Sequence, residues 1–176
     1  MKKNGFTLIE LLITFVILGI VTAIAIPGFS RWLPGYRLKS ASRDVFSNFQ
    51  LAKMTAVKTR SNCTISFKLT IGATQYDYVV YEDSDNDLEY DAGENVVTKV
   101  LFSERYEGIN FDTSQGGGDG LTFANNDNGL PSIAFIPTGF TRSNSGGFGA
   151  GTVFLANSKG TSTKVVISSV GNIRIE

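Results

Sequence analysis

Residues 5–10, Gly-Phe-Thr-Leu-Ile-Glu, join a short basic leader to an apolar run that ends near Ile26. Glu10 is the only charged residue in that run. A carboxylate at the centre of a lipid bilayer costs about 2.5 to 3.5 kcal/mol, so an acid in such a segment is a functional hypothesis by default. The start of the chain therefore predicts an apolar helix in which one acid has a specific role.

The apolar run is long enough to cross a membrane. From Phe6 to Ile26 it covers roughly 30 Å at about 1.5 Å per helical residue, which is the thickness of a hydrocarbon core. A secretory signal peptide has a shorter apolar core, followed by a cleavage site of small residues. Here the small residue, Gly5, precedes the core. An uncleaved signal anchor, oriented by its basic leader, is the simpler alternative, but it leaves Glu10 unexplained.

Length and composition limit the classes of function. The 176 residues are enough for one anchor segment and one domain, and 19 glycines with 13 phenylalanines predict strands joined by glycine-rich turns. The chain has no histidine, which excludes Ser-His-Asp and Cys-His catalysis. Cys63 is the only cysteine, so no intrachain disulfide can form. No other groups have a catalytic spacing, and we expect a protein that is not an enzyme.

Charge is balanced over the whole chain but not along it. Residues 31–68 carry eight Lys or Arg against Asp44 alone, whereas residues 77–127 carry thirteen Asp or Glu against Lys99 and Arg105. The overall balance indicates no polyanionic partner. Its distribution predicts a basic membrane-proximal part and an acidic middle.

Two proline-glycine pairs follow the apolar run, at residues 27–28 and 34–35. Proline inside a helix removes a hydrogen bond and bends or breaks the helix, so we expect a kink or a short melted stretch. Beyond them, apolar residues recur every three or four positions and predict an amphipathic helical segment over residues 34–60. The apolar stripe consists of Leu38, Ala41, Val45, Phe49, Ala52 and Ala56.

After residue 61, β-rich runs separated by turn residues predict antiparallel strands in two small sheets. These runs are residues 63–71, 75–81, 96–102, 133–137, 152–156 and 163–170. Glycine-rich tracts at 114–120 and 143–151 predict mobile loops. The predicted fold class is α+β, a long N-terminal helix packed on a β-rich head of antiparallel sheets. Its parts are a leader at 1–5, a hydrophobic transmembrane segment at 6–33, an amphipathic helix half at 34–60 and the head at 61–176.

This organisation resembles the type IV pilin and type II secretion pseudopilin superfamily. Residues 1–30 are similar to its class III signal. Residues 136–139, 151–155 and 166–175 are similar to the GspH/FimT group of minor pilins and pseudopilins. The resemblance implies a pilin-like fold and a structural subunit of a type II secretion pseudopilus or a type IV pilus.

The resemblance also implies how the N-terminus is used. In these families a prepilin peptidase cuts after the glycine, here Gly5, and methylates the new amino terminus, here Phe6. The acid five places into the mature chain, here Glu10, guides assembly. The implied location is the bacterial inner membrane, crossed once, with the head in the periplasm until the subunit enters a periplasmic or surface filament. Implied partners are other pilin or pseudopilin subunits, the peptidase and an exoprotein cargo.

Two departures from the superfamily narrow the resemblance. Many major pilins close a C-terminal loop with a disulfide, which one cysteine cannot provide, so a minor subunit is favoured. Some FimT-type members contact DNA through a C-terminal Gly-Arg-x-Arg, and Asn172 stands here at the position of the first arginine. A FimT-like DNA-binding minor pilin for DNA uptake is the alternative function, although DNA is not the partner that the resemblance favours. The basic side chains available for it are Arg142, Lys159, Lys164 and Arg174, for which surface charge is the simpler interpretation.

An acidic window at residues 83–94 has the ligand spacing of an EF-hand-type calcium loop. The acids at positions 1, 3, 5, 7, 9 and 12 of the window are Asp83, Asp85, Asp87, Glu89, Asp91 and Glu94. Leu88 replaces the usual glycine at position 6, and we expect it to resist the sharp turn made there. Because of the ligand spacing, calcium is a candidate cofactor. Because of Leu88, a solvated acidic hairpin between two strands is the alternative interpretation.

Overall fold

One long helix carries the head in the computed structural model, which describes residues 6–176 and all of their side chains except that of Pro27. Helix α1 (Leu8–Thr59) is continuous, begins after the N-cap Thr7 and is followed by the C-cap Arg60, whose φ is 59°. The melted stretch expected at the proline-glycine pairs is therefore wrong. Each proline removes only one backbone donor, and the hydrogen bonds of the turns on either side keep the chain helical.

The head consists of eleven short strands, one short α-helix and one glycine-rich π-helical turn (Gly116–Gly120) within the described residues. Four strands come before the acidic window or end at its first residue: β1 (Asn62–Phe67), β2 (Thr70–Ile71), β3 (Thr74–Gln75) and β4 (Tyr78–Asp83). Then follow β5 (Val96–Val100), α2 (Phe102–Arg105), β6 (Ile109–Phe111), β7 (Ser132–Phe135) and β8 (Thr141–Arg142). The last three are β9 (Gly151–Asn157), β10 (Ser162–Ile167) and β11 (Ile173–Ile175).

These strands form two antiparallel sheets and a small hairpin, as the sequence predicts for the fold class. One sheet has the order β5-β4-β1-β7-β8, the other has the order β11-β10-β9-β6, and β2 pairs with β3. Cys63 lies in β1 between β4 and β7 and is fully buried. The predicted run over residues 63–71 divides at Lys68, whose φ is 57°. Strands β6, β8 and β11 and helix α2 are not predicted.

Helix α1 packs on both sheets through the predicted apolar stripe, whose six residues are all buried. Three of them are alanines, and their small side chains let the helix approach the sheets closely. Phe49 meets the edge of Phe67 at a ring-centroid distance of 6.3 Å, and Phe67 stacks on Phe123 at 4.9 Å. The second half of the helix is thus part of the core of the head.

Lys53 joins two loops of the head to the same helix. Its Nζ donates a hydrogen bond to the carbonyl oxygen of Gly171 at 2.9 Å. Gly171 has a φ of 75°, and a Cβ there would collide with the carbonyl oxygen of Gly139. Glycine is therefore required where these two turns meet beside the helix.

Candidate functional site

A capping box begins helix α1. The Thr7 Oγ1 accepts a hydrogen bond from the backbone N–H of Glu10 at 3.3 Å, and the Glu10 carboxylate accepts one from the backbone N–H of Thr7 at 2.9 Å. The Thr7 hydroxyl also donates to that carboxylate at 2.8 Å. The predicted assembly acid is thus held at the helix start by its own chain. Of the two predicted processing residues, Phe6 is 87% exposed and Gly5 lies outside the described residues.

The apolar part of α1 is uncovered. Every side chain from Phe6 to Ile24 is exposed, and Ile24 still shows 73% of its surface. By length and composition alone, this helix can cross a membrane. Burial of a large apolar side chain is favourable by about 1.5 to 3 kcal/mol. The many exposed apolar side chains therefore favour coverage of this part of the helix by lipid or by other helices.

Aromatic and basic side chains mark the end of the uncovered part. Trp32 and Tyr36 are exposed and stack at a ring-centroid distance of 4.9 Å. The Arg37 guanidinium donates to the carbonyl oxygen of Glu107 at 3.2 Å and lies 2.9 Å from its carboxylate. Trp and Tyr are enriched where helices leave a bilayer. The segment therefore has the composition of a membrane border, and the head contacts the helix at this level.

The acidic loop brings together three of the six candidate calcium ligands. Asp83, Asp85 and Asp87 each offer a carboxylate oxygen, and these oxygens lie within 4.8 Å of one another. Asp83 is buried at the end of β4, and the other two are exposed. Carboxylate oxygens suit Ca²⁺, which takes six to eight oxygen ligands. Three carboxylates fit part of such a shell.

The remaining three candidates are not members of that group. Glu89 accepts hydrogen bonds from the backbone N–H of Asn128 at 2.8 Å and from its side-chain amide at 2.6 Å. Glu94 accepts from the backbone N–H groups of Ser84 at 2.9 Å and Asp91 at 3.1 Å. Asp91 itself is exposed. The two glutamates thus shape the loop through hydrogen bonds within the chain.

Leu88 does not resist the turn, so that expectation is wrong. It adopts a φ of 64° and is fully buried. Its N–H donates to the Asp83 carboxylate at 3.2 Å, and its carbonyl oxygen accepts from the Asn126 amide at 2.9 Å. Burial and these hydrogen bonds offset a backbone cost of about 1 to 3 kcal/mol.

The environment of Asp83 opposes its charge. Burial raises the pKa of Asp83 above the usual carboxyl value. Hydrogen bonds from Thr64 Oγ1 at 2.7 Å and from the N–H groups of Leu88 and Asn86 lower that pKa, but by less than burial raises it. On balance, the buried end of the loop favours the protonated carboxyl group of Asp83 more than an exposed site would.

Two family models match the chain. The prokaryotic N-terminal methylation motif matches residues 1–26, and the type II transport protein GspH matches residues 41–171, which is more than half of the chain. The chain belongs to the GspH family. The resemblance inferred from the sequence is thereby confirmed, and the members of this family are structural pilin or pseudopilin subunits.

A solved structure is also similar to this GspH-family chain. It is the crystal structure of the type IV minor pilin FimU of Pseudomonas aeruginosa, with 14% identity and a TM-score of 0.43. The match covers 79% of this chain and 92% of the FimU chain. No curated protein matches the chain significantly.

Of the four basic side chains suggested for DNA in this GspH-family chain, Lys164 and Arg174 lie together, and the other two have different partners. Lys164 Nζ is 2.8 Å from the Glu176 carboxylate, and Arg174 pairs with the same carboxylate. Arg142 instead donates to the carbonyl oxygen of Asn86 in the acidic loop, at 2.8 Å. These three side chains all have partners within the chain, and DNA binding stays an untested alternative.

Lys159, the fourth of these side chains, has a contact that sequence reasoning missed. Its Nζ donates to the carbonyl oxygen of Ser30, 129 positions earlier in the chain. No local pattern links residues so far apart, so only the fold could reveal it. The partnership of Thr7 and Glu10, in contrast, has a sequence signal, because Thr-x-x-Glu before an apolar run is the pattern of a capping box.

Proposed function

We propose that this GspH-family chain is a minor pilin or pseudopilin, a structural subunit of a type II secretion pseudopilus or of a type IV pilus. Prepilin peptidase cuts it after Gly5 and methylates Phe6. Helix α1 holds it in the bacterial inner membrane, with the head in the periplasm, until the subunit is extracted into a filament. Its work is assembly and interaction with other subunits or with an exoprotein cargo.

The division of α1 into an uncovered and a covered half carries this proposal. The methylation motif, residues 1–26, includes most of the uncovered half, and from Leu38 onward the apolar stripe of the other half is buried against the head. A segment that is apolar on all sides can lie first in lipid and later among the same segments of neighbouring subunits. A filament subunit needs such a segment, because its lipid contacts are replaced by contacts with neighbouring subunits during assembly.

We assign Glu10 to register between subunits. In the single chain its carboxylate is satisfied by Thr7. In a staggered filament, the protonated amino group of a neighbour's Phe6 would lie near this carboxylate in low dielectric. Removal of one partner from such a buried pair costs about 3 to 5 kcal/mol, because the other charge is left alone. The pair would therefore select the correct stagger more than it would add stability.

Mass spectrometry of the mature chain tests the processing. We expect the purified membrane form to begin with a methylated Phe6, and a Gly5→Val variant to retain its leader because a branched residue replaces the glycine at the cleavage site. A wild-type chain that still begins at Met1 would contradict the assignment.

Filament incorporation tests Glu10 separately. Glu10→Ala should insert into the membrane normally but be lost from sheared or isolated filaments. Glu104→Ala is the matched control, since Glu104 is an exposed glutamate in the head. Normal incorporation of Glu10→Ala would remove the assembly role even if processing occurs as proposed.

The gene's neighbours distinguish the two systems. A secretion operon supports a pseudopilin that acts in export of folded proteins, and a pilus operon supports a minor pilin that initiates or modifies the fibre. Cleavage after Gly5 and methylation of Phe6 are expected in both systems, so processing alone does not distinguish them.

A further inference from the structure

Lys159 reaches from the head to the backbone of α1. It lies in the turn between β9 and β10, and its Nζ donates to the carbonyl oxygen of Ser30 at 3.0 Å. The same Nζ lies 3.4 Å from the carbonyl oxygen of Arg31. Both carbonyls belong to the border between the uncovered and covered halves of the helix.

Pro34 explains why a donor is useful at this place. In an α-helix the carbonyl oxygen of residue 30 accepts from the N–H of residue 34. Proline has no N–H, so Pro34 cannot make that bond, and its ring crowds the same carbonyl. Such a position usually kinks or breaks a helix, and α1 continues as a helix through it. The ammonium group of Lys159 is placed at the carbonyl that Pro34 cannot serve.

We infer that Lys159 is a positioning residue that replaces the hydrogen bond missing at Pro34 and so holds the head in one orientation on the uncovered half of α1. A charged donor makes a stronger hydrogen bond than a neutral one. The replacement therefore stiffens the helix where its own ladder is weakest.

The turn that carries Lys159 is itself fixed. The Asn157 side-chain oxygen accepts from the backbone N–H groups of Lys159 and Thr161, both at 3.0 Å. Gly160, with a φ of 76°, donates its N–H to the Asn157 carbonyl oxygen at 3.0 Å. Asn157 is buried, with 7% exposure. The lysine thus extends from an ordered backbone and loses less conformational freedom when it reaches the helix.

A second contact lies on the neighbouring turn of the head. Arg37 pairs with Glu107, and the next residue, Gly108, neighbours Ser158: a Cβ at Gly108 would be in ordinary van der Waals contact with the Ser158 Oγ, at 3.5 Å. The two turns together form the end of the head that faces the uncovered half. Lys159 contacts the helix before Pro34 and Arg37 contacts the head after it, so rotation at the proline requires the release of Lys159.

Hydrogen exchange on the full chain in lipid nanodiscs tests the inference. Four forms are compared by mass spectrometry of peptides that cover residues 30–38: wild type, Lys159→Ala, Pro34→Ala and the double variant. Lys159→Ala should raise exchange in this segment about tenfold, as expected for loss of one hydrogen bond to a charged group. Pro34→Ala restores the N–H of residue 34, so the double variant should exchange at the wild-type rate.

Lys164→Ala is the control, because it removes a lysine of β10 that pairs with Glu176 rather than with the helix. It should leave the segment unchanged. Unchanged exchange in Lys159→Ala would overturn the inference, and so would an equal increase in the presence and absence of Pro34. The measurement does not depend on filament formation, so its failure is distinct from failure of the proposed function.

Discussion

The two halves of α1 differ in what covers them, although they form one helix. Phe15 in the first half is 64% exposed, whereas Phe49 in the second is fully buried against the head. The first half is apolar on all sides, and the second carries a single apolar stripe. An apolar residue therefore contributes to the stability of this subunit only where the head packs on it, and the first half depends on lipid or on other helices.

The sharpest test of this difference is a pair of identical substitutions. Phe49→Ala should lower the free energy of unfolding of the head by about 3 to 5 kcal/mol, because it leaves a cavity in the core. Phe15→Ala should leave that free energy unchanged. Urea unfolding of the full chain in detergent, followed by near-ultraviolet circular dichroism, measures both. Equal losses would show that the head depends on the uncovered half.

Overpacking gives a smaller contrast between the halves. Ala52 is fully buried between helix and head, so Ala52→Leu should cost about 1 to 3 kcal/mol by forcing side chains or backbone to move. Ala23 is exposed in the uncovered half, and Ala23→Leu should have no effect on the same unfolding curve. A stable Ala52→Leu variant would mean that the helix and the sheets are less closely packed than described.

Calcium should act on the head alone, if the sequence prediction for the acidic loop is correct. Neutralisation of Asp83, Asp85 and Asp87 would raise the thermal midpoint of the head by several degrees in millimolar calcium but not in magnesium. Asp85→Asn should reduce the shift, and Glu104→Ala should preserve it. A midpoint that calcium leaves unchanged would favour the solvated acidic hairpin.

The smallest expected effect is a pH dependence that also belongs to the head. Burial raises the pKa of Asp77 above its ordinary value of 3.8, and the hydrogen bond from the N–H of Phe102 at 2.6 Å opposes this only in part. The folded head thus binds this proton more strongly than the unfolded chain. The resulting stabilisation is present below pH 3.8 and is lost as the pH rises through the raised value.

Asp77→Asn cannot titrate and isolates this contribution. The difference in unfolding free energy between wild type and Asp77→Asn should change over that pH range and become constant above it. Parallel curves for the two proteins would contradict the raised pKa. Both are measured in the presence of a chelator so that calcium binding does not contribute.

Patterns with a regular period were predictable from the sequence. The stripe from Leu38 to Ala56 recurs every three or four residues, and all of its members are buried. The fold class, the antiparallel sheets and the family could also be predicted, from β-rich runs between turn residues and from motifs in the sequence. The capping box at Thr7 was also within reach, because its residue pattern is local.

Features that depend on distant partners were not predictable. Strands β6, β8 and β11 have two or three residues each and exist because longer strands pair with them. Leu88 accepts a left-handed backbone only because the head buries its side chain and Asn126 meets its carbonyl group. Continuity of the helix at Pro34 likewise coincides with a contact from Lys159 that no local pattern encodes.

The buried position of Cys63 has a consequence for subunits that crowd together. Burial, followed by the charges of Glu82 and Asp83, raises the pKa of its thiol to about 12. At pH 7 only about one thiol in 10⁵ would then be ionised, and the thiolate is the form that exchanges with disulfides. In the oxidising compartment proposed for the head, neighbouring copies would therefore not become cross-linked through this cysteine, and subunits could be added and withdrawn without a covalent trap.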